Sequence, residues 1–279
     1  MPELPEVETI VRELRKSGLV GTTVLEVGVA WPRTIAHQST SQFCDHIVGQ
    51  IITEVTRRGK YLIFQLEKGS ILSHLRMTGH FSFCAAKDEL LAYERVRLTL
   101  SDGRALVLSD TRKFGRMQWV ADPQHALSHL GVEPLSPQFS TTFLLKRLRG
   151  RKRALKPLLL DQSIIAGLGN IYVDEALWNA GLHPLQPVNC LLEDDLERLQ
   201  HAIVTVLQRG VDHLGTSLGS GQTNYISVSG RRGGNQYQLR VFRRDGQPCS
   251  RCATILEKIY VEQRGTHYCP FCQQLRLSS

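Results

Sequence analysis

Four cysteines near the C-terminus most constrain what this chain can fold into. They form two pairs with two residues inside each pair and sixteen between the pairs: Cys249, Cys252, Cys269 and Cys272. Four thiolates at this spacing are typical of a tetrahedral structural zinc site, which has no open position for a reacting water. A unit of roughly 40 residues has too small a core to stand alone and needs such a cross-link. The sequence therefore predicts one structural Zn²⁺ that stabilises a small unit over residues 236–275.

The composition of the chain is basic. It has 34 Lys and Arg against 26 Asp and Glu in 279 residues, which gives a formal charge of +8. Such a charge draws a protein towards a polyanion, although a basic enzyme without such a partner can have the same composition. The chain has no run of 18 apolar residues and does not start with a basic segment followed by an apolar one. We therefore expect neither a membrane span nor a signal peptide, and a protein of the cytoplasm.

The first 130 residues change from a helical pattern to an alternating one. Pro5 and Glu6 suit a first helical turn, and the apolar residues that follow recur on one face: Val7, Ile10, Val11 and Leu14. Residues 24–29, 61–64 and 96–100 then carry the apolar pattern of strands, with turn residues between them. The pattern predicts an N-terminal helix that closes a β-sandwich or barrel.

Beyond a short linker the pattern is helical. Residues 131–139 contain two prolines, and the Ser140-Thr141 pair after them predicts a helix start. Residues 215–235 are rich in glycine and lack periodicity, which predicts a mobile loop. Further helices are predicted over three ranges: residues 154–162, 169–180 and 192–207. The predicted domain limits are as follows: a first domain over residues 2–130, the linker, a second domain over 140–235 and the zinc-binding unit.

Two features of the second domain suit phosphate groups. Seven basic residues crowd its start: Lys146, Arg147, Arg149, Arg151, Lys152, Arg153 and Lys156. Such a run is usually a solvated face, but the charge of the whole chain favours contact with several phosphates. Residues 167–170 form a glycine turn before a predicted helix, where free backbone amides suit a phosphate. Glycine turns before helices are common, so this second signal is weak by itself.

Six longer motifs together carry a more specific signal, and they are spread over the whole chain. They are Met1–Thr9, Arg58–Tyr61, His74–Gly79, Asp110–Gly115, Gly167–Tyr172 and Gln263–Pro270. In these motifs the chain resembles the formamidopyrimidine-DNA glycosylase family. The resemblance implies an α+β fold with an N-terminal helix and an antiparallel β-sandwich. It also implies a C-terminal helix-two-turns-helix domain and a zinc-finger hairpin that enters the DNA groove.

The resemblance further implies a bifunctional DNA glycosylase and AP lyase that removes 8-oxoguanine and formamidopyrimidines from duplex DNA. Once Met1 is removed, Pro2 attacks the sugar C1′ to form a Schiff base, and Glu3 protonates the opening sugar. An α-amino group suits this role because it titrates near neutrality, whereas an unperturbed lysine is almost wholly charged. By the same resemblance Lys60 and Arg264 bind phosphate and assist the β- and δ-elimination that cleaves the strand.

The family also implies a set of DNA contacts. His74 and Asn170 would bind the backbone, and three residues would fill the hole left by the flipped nucleotide and touch the opposite base: Met77, Arg112 and Phe114. Tyr93 and Arg151 would be further DNA contacts. The chain departs from the family at Ala92–Arg95, where a histidine is common, and in the loop that covers the flipped base. The implied partner is double-stranded DNA with oxidised purines or abasic sites, bound by a monomer at the bacterial nucleoid, with no membrane partner.

Two other classes of protein share part of this pattern. An endonuclease VIII-like relative would share the fold and the N-terminal proline but favour oxidised pyrimidines. Its usual opening motif and void-filling residues differ from those of this chain. A non-catalytic zinc-ribbon DNA-binding protein would need no nucleophile, so the intact set of Pro2, Glu3 and Lys60 argues against it.

Overall fold

The computed structural model describes residues 1–148, 150–219 and 225–276. Contacts between backbones divide the chain into two compact units: Met1–Ser128 with His213–Gln236, and His129–Asp212 with Tyr237–Ser279. Residues 213–236 thus follow the helices of the second unit in sequence but belong to the first unit by contact. The predicted second domain, residues 140–235, instead groups residues 213–235 with the helices, and the predicted domain limits stay a prediction. No helix among the described residues is long and apolar enough to cross a membrane.

Helix α1 spans Leu4–Lys16 and supplies one wall of the first unit's core. It begins with a capping box in which the amide of Glu3 donates to the Glu6 carboxylate at 2.8 Å. The predicted apolar face is buried and packs against the strands: Val7, Ile10, Val11 and Leu14. The helix ends before Gly18, whose positive φ of 76° suits a glycine.

Two four-stranded antiparallel sheets form the predicted sandwich of the first unit. The first has the order β1-β6-β7-β5 and the second the order β2-β3-β4-β8. The strands are β1 Val24–Val29, β2 Ile52–Arg58, β3 Tyr61–Leu66, β4 Ser70–His74, β5 Gly79–Ala85, β6 Glu94–Leu100, β7 Arg104–Asp110 and β8 Arg116–Val120. Short helices α2 (Thr40–Ile47) and α3 (Pro123–Ala126) follow β1 and β8 along the chain. Apolar side chains from α1 and both sheets fill a single core.

The segment 213–236 completes this core from far along the chain. Tyr225 and Val228 pack against the apolar cluster of the sandwich. Hydrogen bonds join the two described stretches of the segment, among them Ser217 Oγ to the Tyr225 carbonyl at 2.6 Å and the Gly233 amide to Ser217 Oγ at 2.9 Å. These stretches are therefore docked on the sandwich, while their predicted mobility stays a prediction and residues 220–224 lie outside the described part.

The regular elements of the second unit, among its described residues, are mainly helices and one β-hairpin. Helix α4 (Thr141–Leu148) starts as predicted, because Ser140 Oγ accepts the Phe143 amide at 3.1 Å. Gly181 ends helix α6 in the left-handed conformation, with φ of 70°. The remaining elements are α5 Leu155–Leu160, α6 Asn170–Ala180, α7 Glu193–Asp212, β9 Glu257–Val261 and β10 Arg264–Tyr268. Strands β9 and β10 pair as an antiparallel hairpin.

Candidate active site and DNA interface

The start of the chain is buried in the first unit just before α1. Pro2 is buried and Glu3 is only 4% exposed, whereas Met1 is nearly half exposed. The Glu6 carboxylate fixes this start, because one oxygen accepts the Glu3 amide and the other accepts the Thr216 amide at 2.7 Å. The sequence pattern predicts Glu6 only as a residue of the first helical turn. Its position three residues after Glu3 is the sequence signal of the capping box.

The surroundings of the terminal amino group favour its neutral form. Burial lowers the pKa of the Met1 amine below its ordinary value, and the charges of Lys60 and Arg112 lower it further. Glu3 and Glu6 act in the opposite direction. These four side chains therefore lie within electrostatic reach of the amine. A neutral amine is a nucleophile, so the arrangement can support covalent chemistry.

Lys60 and His74 lie close together in the second sheet, because Tyr61, which follows Lys60, pairs with His74. Lys60 follows Gly59 in the turn between β2 and β3, where Gly59 has φ of 57°, and the lysine is buried. His74 ends β4 and accepts the Arg76 amide on Nδ1 at 3.0 Å. Burial above all, with the charges of Arg76 and Lys60, lowers the pKa of His74 to about 3. The imidazole is therefore neutral with its hydrogen on Nε2, which makes Nε2 a donor that suits a phosphate oxygen.

Three predicted void-filling residues lie together on the surface of the first unit. Arg112 donates to the sulfur of Met77 at 3.1 Å and its guanidinium lies 4.7 Å from the centre of the Phe114 ring. Met77 and Phe114 are both 44% exposed, so the group presents an apolar and cationic edge. Such an edge can occupy the space of an extruded nucleotide.

Asp110 holds the turn that carries Arg112 and Gly115, a role that the sequence alone does not predict. Its carboxylate accepts the Arg112 amide at 3.1 Å, the Gly115 amide at 2.6 Å and the Thr78 hydroxyl. The side chain is 1% exposed, so it acts through the backbone turn. The available signal was an aspartate at the end of a strand directly before a turn, where its carboxylate can accept turn amides. Tyr93 is half exposed, and its carbonyl accepts the Asp110 amide at 2.9 Å.

The second unit carries the other predicted DNA contacts. Asn170 begins α6 and donates from Nδ2 to the carbonyl of Gly265 at 2.9 Å, which ties the helix start to the hairpin beside Arg264. Arg264 is exposed at the start of β10, and Arg151 is exposed after α4. Arg153 is also exposed, but it pairs with Glu262 at 3.0 Å.

Lys156, the last residue of the basic run, is not placed to bind a phosphate as predicted. Its side chain is fully buried, and Nζ contacts Asp174 Oδ1 at 2.5 Å and Thr266 Oγ1 at 2.8 Å. The other oxygen of Asp174 accepts the His267 amide at 2.9 Å. A buried ammonium with these partners cannot neutralise a phosphate, so Lys156 links α5 and α6 to β10 instead. Arg149, also in the run, lies outside the described residues.

The four predicted zinc ligands come together in the second unit. The Sγ atoms of Cys249, Cys252, Cys269 and Cys272 all lie within 4.8 Å of one another. Backbone amides approach two of these sulfurs at 3.4 Å, which suits thiolates rather than thiols. The donors thus fit a tetrahedral zinc, with sulfurs about 2.3 Å from the metal. A metal held by four protein ligands is structural, and the prediction of one structural zinc is confirmed.

Comparisons with known proteins agree with this geometry. Three family profiles match: the formamidopyrimidine-DNA glycosylase N-terminal domain over residues 1–117, its H2TH domain over 130–221, and the zinc finger found in FPG and IleRS over 246–275. The formamidopyrimidine-DNA glycosylase of Protochlamydia amoebophila is 47% identical over 98% of this chain and 100% of its own length. The chain belongs to the formamidopyrimidine-DNA glycosylase family. It is therefore a DNA glycosylase, and lyase activity is typical of the family.

Other relatives support the same assignment. The Enterococcus faecalis formamidopyrimidine-DNA glycosylase is 44% identical over 99% of this chain and 98% of its own length. A Lactococcus lactis FPG mutant in complex with a Fapy-dG containing DNA superposes with a TM-score of 0.90 at 35% identity, over 98% of this chain and all of that one. The complex between the Lactococcus lactis Fpg and an abasic site containing DNA superposes with a TM-score of 0.89 at 34% identity, over 98% of this chain and 99% of that one. The predicted α+β fold is confirmed. The comparisons favour neither the endonuclease VIII-like enzyme nor the non-catalytic zinc-ribbon protein.

Proposed function

We propose that Pro2, freed by removal of Met1, is the nucleophile of the glycosylase and lyase reactions on oxidised purines in duplex DNA. The observation that carries this proposal is the environment of the chain terminus, where burial and two cations lower the pKa of the amine. The amine of Pro2 would stand beside the same groups and be neutral in part at physiological pH. A neutral secondary amine can attack carbon without prior deprotonation by another base.

The chemical steps follow from the residues around this amine. The Pro2 nitrogen forms a bond to C1′ while the bond from C1′ to the damaged base breaks, and the proton that the nitrogen loses passes to the leaving base. Glu3 then donates a proton to the sugar ring oxygen as the ring opens, and the lone pair of the nitrogen forms the iminium of a Schiff base. Loss of a C2′ proton to water breaks the C3′–O bond and expels the 3′ phosphate, and loss of a C4′ proton to water then breaks the C5′–O bond and expels the 5′ phosphate.

The remaining residues bind the DNA in this proposal. Lys60 and Arg264 would hold phosphates and stabilise the leaving phosphate charge, with Arg151 as a further backbone contact. His74 and Asn170 would donate to phosphate oxygens. Four further side chains would contact the DNA duplex around the position that the extruded nucleotide leaves: Met77, Arg112, Phe114 and Tyr93. Since the substrate is chromosomal DNA, we infer that the enzyme acts at the nucleoid in the bacterial cytoplasm.

Borohydride trapping tests the nucleophile. The protein is mixed with duplexes that carry 8-oxoguanine, an oxidised pyrimidine or no lesion, and the adduct is mapped by mass spectrometry. We expect an adduct on Pro2 with the 8-oxoguanine duplex, and none with a preparation that retains Met1. If the preparation with Met1 trapped equally well, Pro2 would not be the nucleophile. Stronger trapping on the oxidised pyrimidine would favour the endonuclease VIII-like alternative.

A further inference from the structure

Trp178 lies in the last turn of helix α6, against the zinc ligands of the second unit. The residue is 9% exposed and belongs to the apolar cluster that contains Cys249 and Cys269. Its indole nitrogen donates to Cys249 Sγ at 3.4 Å. An indole has a single polar group, an N–H donor that a buried tryptophan usually directs to a partner. Here the partner is a zinc ligand, so α6 reaches the metal site through this side chain.

Cys249 thus receives two N–H donors. The second is the backbone amide of Arg251, which lies 3.4 Å from the same sulfur. A thiolate carries a full negative charge and accepts such hydrogen bonds well, whereas a thiol sulfur is a weak acceptor. Cysteine ligands are deprotonated when zinc is bound, so both donors act on the metal-bound form of Cys249. They withdraw charge from the sulfur and fix its position.

Arg251 holds the indole in place for this contact. Its guanidinium lies 4.3 Å from the centre of the Trp178 ring, where a cation is attracted to the ring face. The two terminal nitrogens of Arg251 donate to the carbonyls of Trp178 and Asn179, both at 3.3 Å. These carbonyls lie at the C-terminal end of α6, which favours a cation. A residue between the first two cysteines therefore covers the indole ring and also supplies the second donor to Cys249.

We propose that Trp178 is a positioning residue of the zinc site, which holds the Cys249 sulfur from helix α6 and so strengthens zinc binding. Side chains that donate to a metal ligand orient it and typically change metal affinity about 10- to 100-fold. Arg264 lies between the two cysteine pairs in sequence, so retention of the zinc preserves the hairpin that carries it. The inference does not depend on which group of the enzyme is the nucleophile.

Competition for zinc with a chromogenic chelator tests the contact in the full-length protein. Trp178→Phe keeps an aromatic ring in the apolar cluster but removes the N–H donor. Trp119→Phe is the matched control, because the indole of Trp119 donates to the Lys68 carbonyl at 3.2 Å in the first unit. We expect Trp178→Phe to bind zinc about 10- to 100-fold more weakly than the wild type, and Trp119→Phe to bind it equally well.

A spectroscopic measurement separates the hydrogen bond from packing. Co²⁺ in place of Zn²⁺ gives an absorption band in which charge moves from sulfur to metal. A hydrogen bond to the sulfur stabilises its lone pair and moves this band to higher energy. We therefore expect the band of Trp178→Phe to lie at lower energy than that of the wild type, with the band of Trp119→Phe unmoved. Loss of packing alone would weaken metal binding without this shift.

Two results would overturn the inference. One is zinc affinity in Trp178→Phe equal to that of the wild type. The other is an unmoved cobalt band in that variant, even with weaker binding, because packing then explains the loss. If Trp178→Phe does not fold, the wild type is labelled with 5-fluorotryptophan, whose indole N–H is a stronger donor. The cobalt band should then move to higher energy, and an unmoved band would decide against the hydrogen bond.

Discussion

Arg112 offers a chemical basis for a preference at the base opposite the lesion. A guanidinium has donors and no acceptor, so it can bind the O2 and N3 acceptors of cytosine together. Adenine instead places an amino donor beside its N1 acceptor. A good bidentate pair gives about 1 to 3 kcal/mol, so excision opposite cytosine should exceed that opposite adenine by about tenfold to a hundredfold.

Single-turnover excision from the two duplexes measures this ratio. Arg112→Ala should flatten it, with some loss of overall rate because Met77 and Phe114 lose their neighbour. Arg33→Ala, at an exposed arginine of the same unit, serves as the control. An unchanged ratio in Arg112→Ala would mean that another residue discriminates between the bases.

His74 predicts a pH dependence of stability. Its pKa in the folded protein is about 3, mainly through burial, against an ordinary value of 6.5. Between these values the unfolded chain binds a proton that the native state excludes. The contribution of His74 to stability is therefore complete above pH 6.5 and is lost as the pH falls towards 3, by about 1.4 kcal/mol per pH unit.

Urea unfolding at several pH values between 7 and 4.5 checks this expectation. Because His74→Asn removes the titration, the free energy of unfolding should fall less steeply with acidity in the variant than in the wild type. The other titrating groups are shared, so their effect cancels in the comparison. Parallel slopes would show that His74 titrates normally in the folded protein.

At the scale of the elements, Lys156 is the residue that joins α5 and α6 to the hairpin. Replacing it with methionine leaves the Asp174 carboxylate buried without its ammonium partner. We expect the free energy of unfolding of the second unit to fall by about 3 to 5 kcal/mol, because one half of a buried ion pair is costly to leave alone. Binding to undamaged DNA should weaken, since β10 carries Arg264.

Denaturant unfolding of the full chain gives the measurement, with Lys152→Met as the matched control at an exposed lysine of the same basic run. Asp174→Asn in the Lys156→Met background removes the stranded charge and should recover part of the loss. Equal losses in Lys156→Met and Lys152→Met would contradict a structural role for the buried pair.

At the scale of the whole molecule, the first unit is assembled from two distant stretches of chain. Residues 1–128 alone lack Tyr225 and Val228, which pack into their core. The isolated fragment should be less stable than the same fragment joined to residues 213–236 by a flexible linker. The difference should be about 3 kcal/mol, the scale for burying one or two large apolar side chains. Urea unfolding of both fragments measures it, and equal midpoints would show that the segment adds nothing to the core.

The sequence by itself determined the features whose causes are local. The cysteine spacing predicted the zinc site, and the first-turn residues Pro5 and Glu6 with the apolar face of α1 predicted the first helix within a residue or two. The motifs around Pro2, Lys60 and Arg112 were enough to assign the family, which the comparisons confirmed. Local sequence is enough to predict these features, because each involves residues that are close in sequence or, for the zinc ligands, two cysteine pairs at a characteristic spacing.

Only the tertiary structure decided the placement of residues whose partners are far away in sequence. By sequence, Lys156 belongs to a predicted DNA-binding run. In the structure its ammonium group is buried against Asp174 of α6 and Thr266 of β10. The glycines of residues 215–235 suggested mobility, yet a Cβ on Gly215 would lie 2.8 Å from Glu6 Cγ. Close approach to α1 therefore requires that glycine. Burial and close contact depend on how remote segments pack, and no local pattern of residue types encodes them.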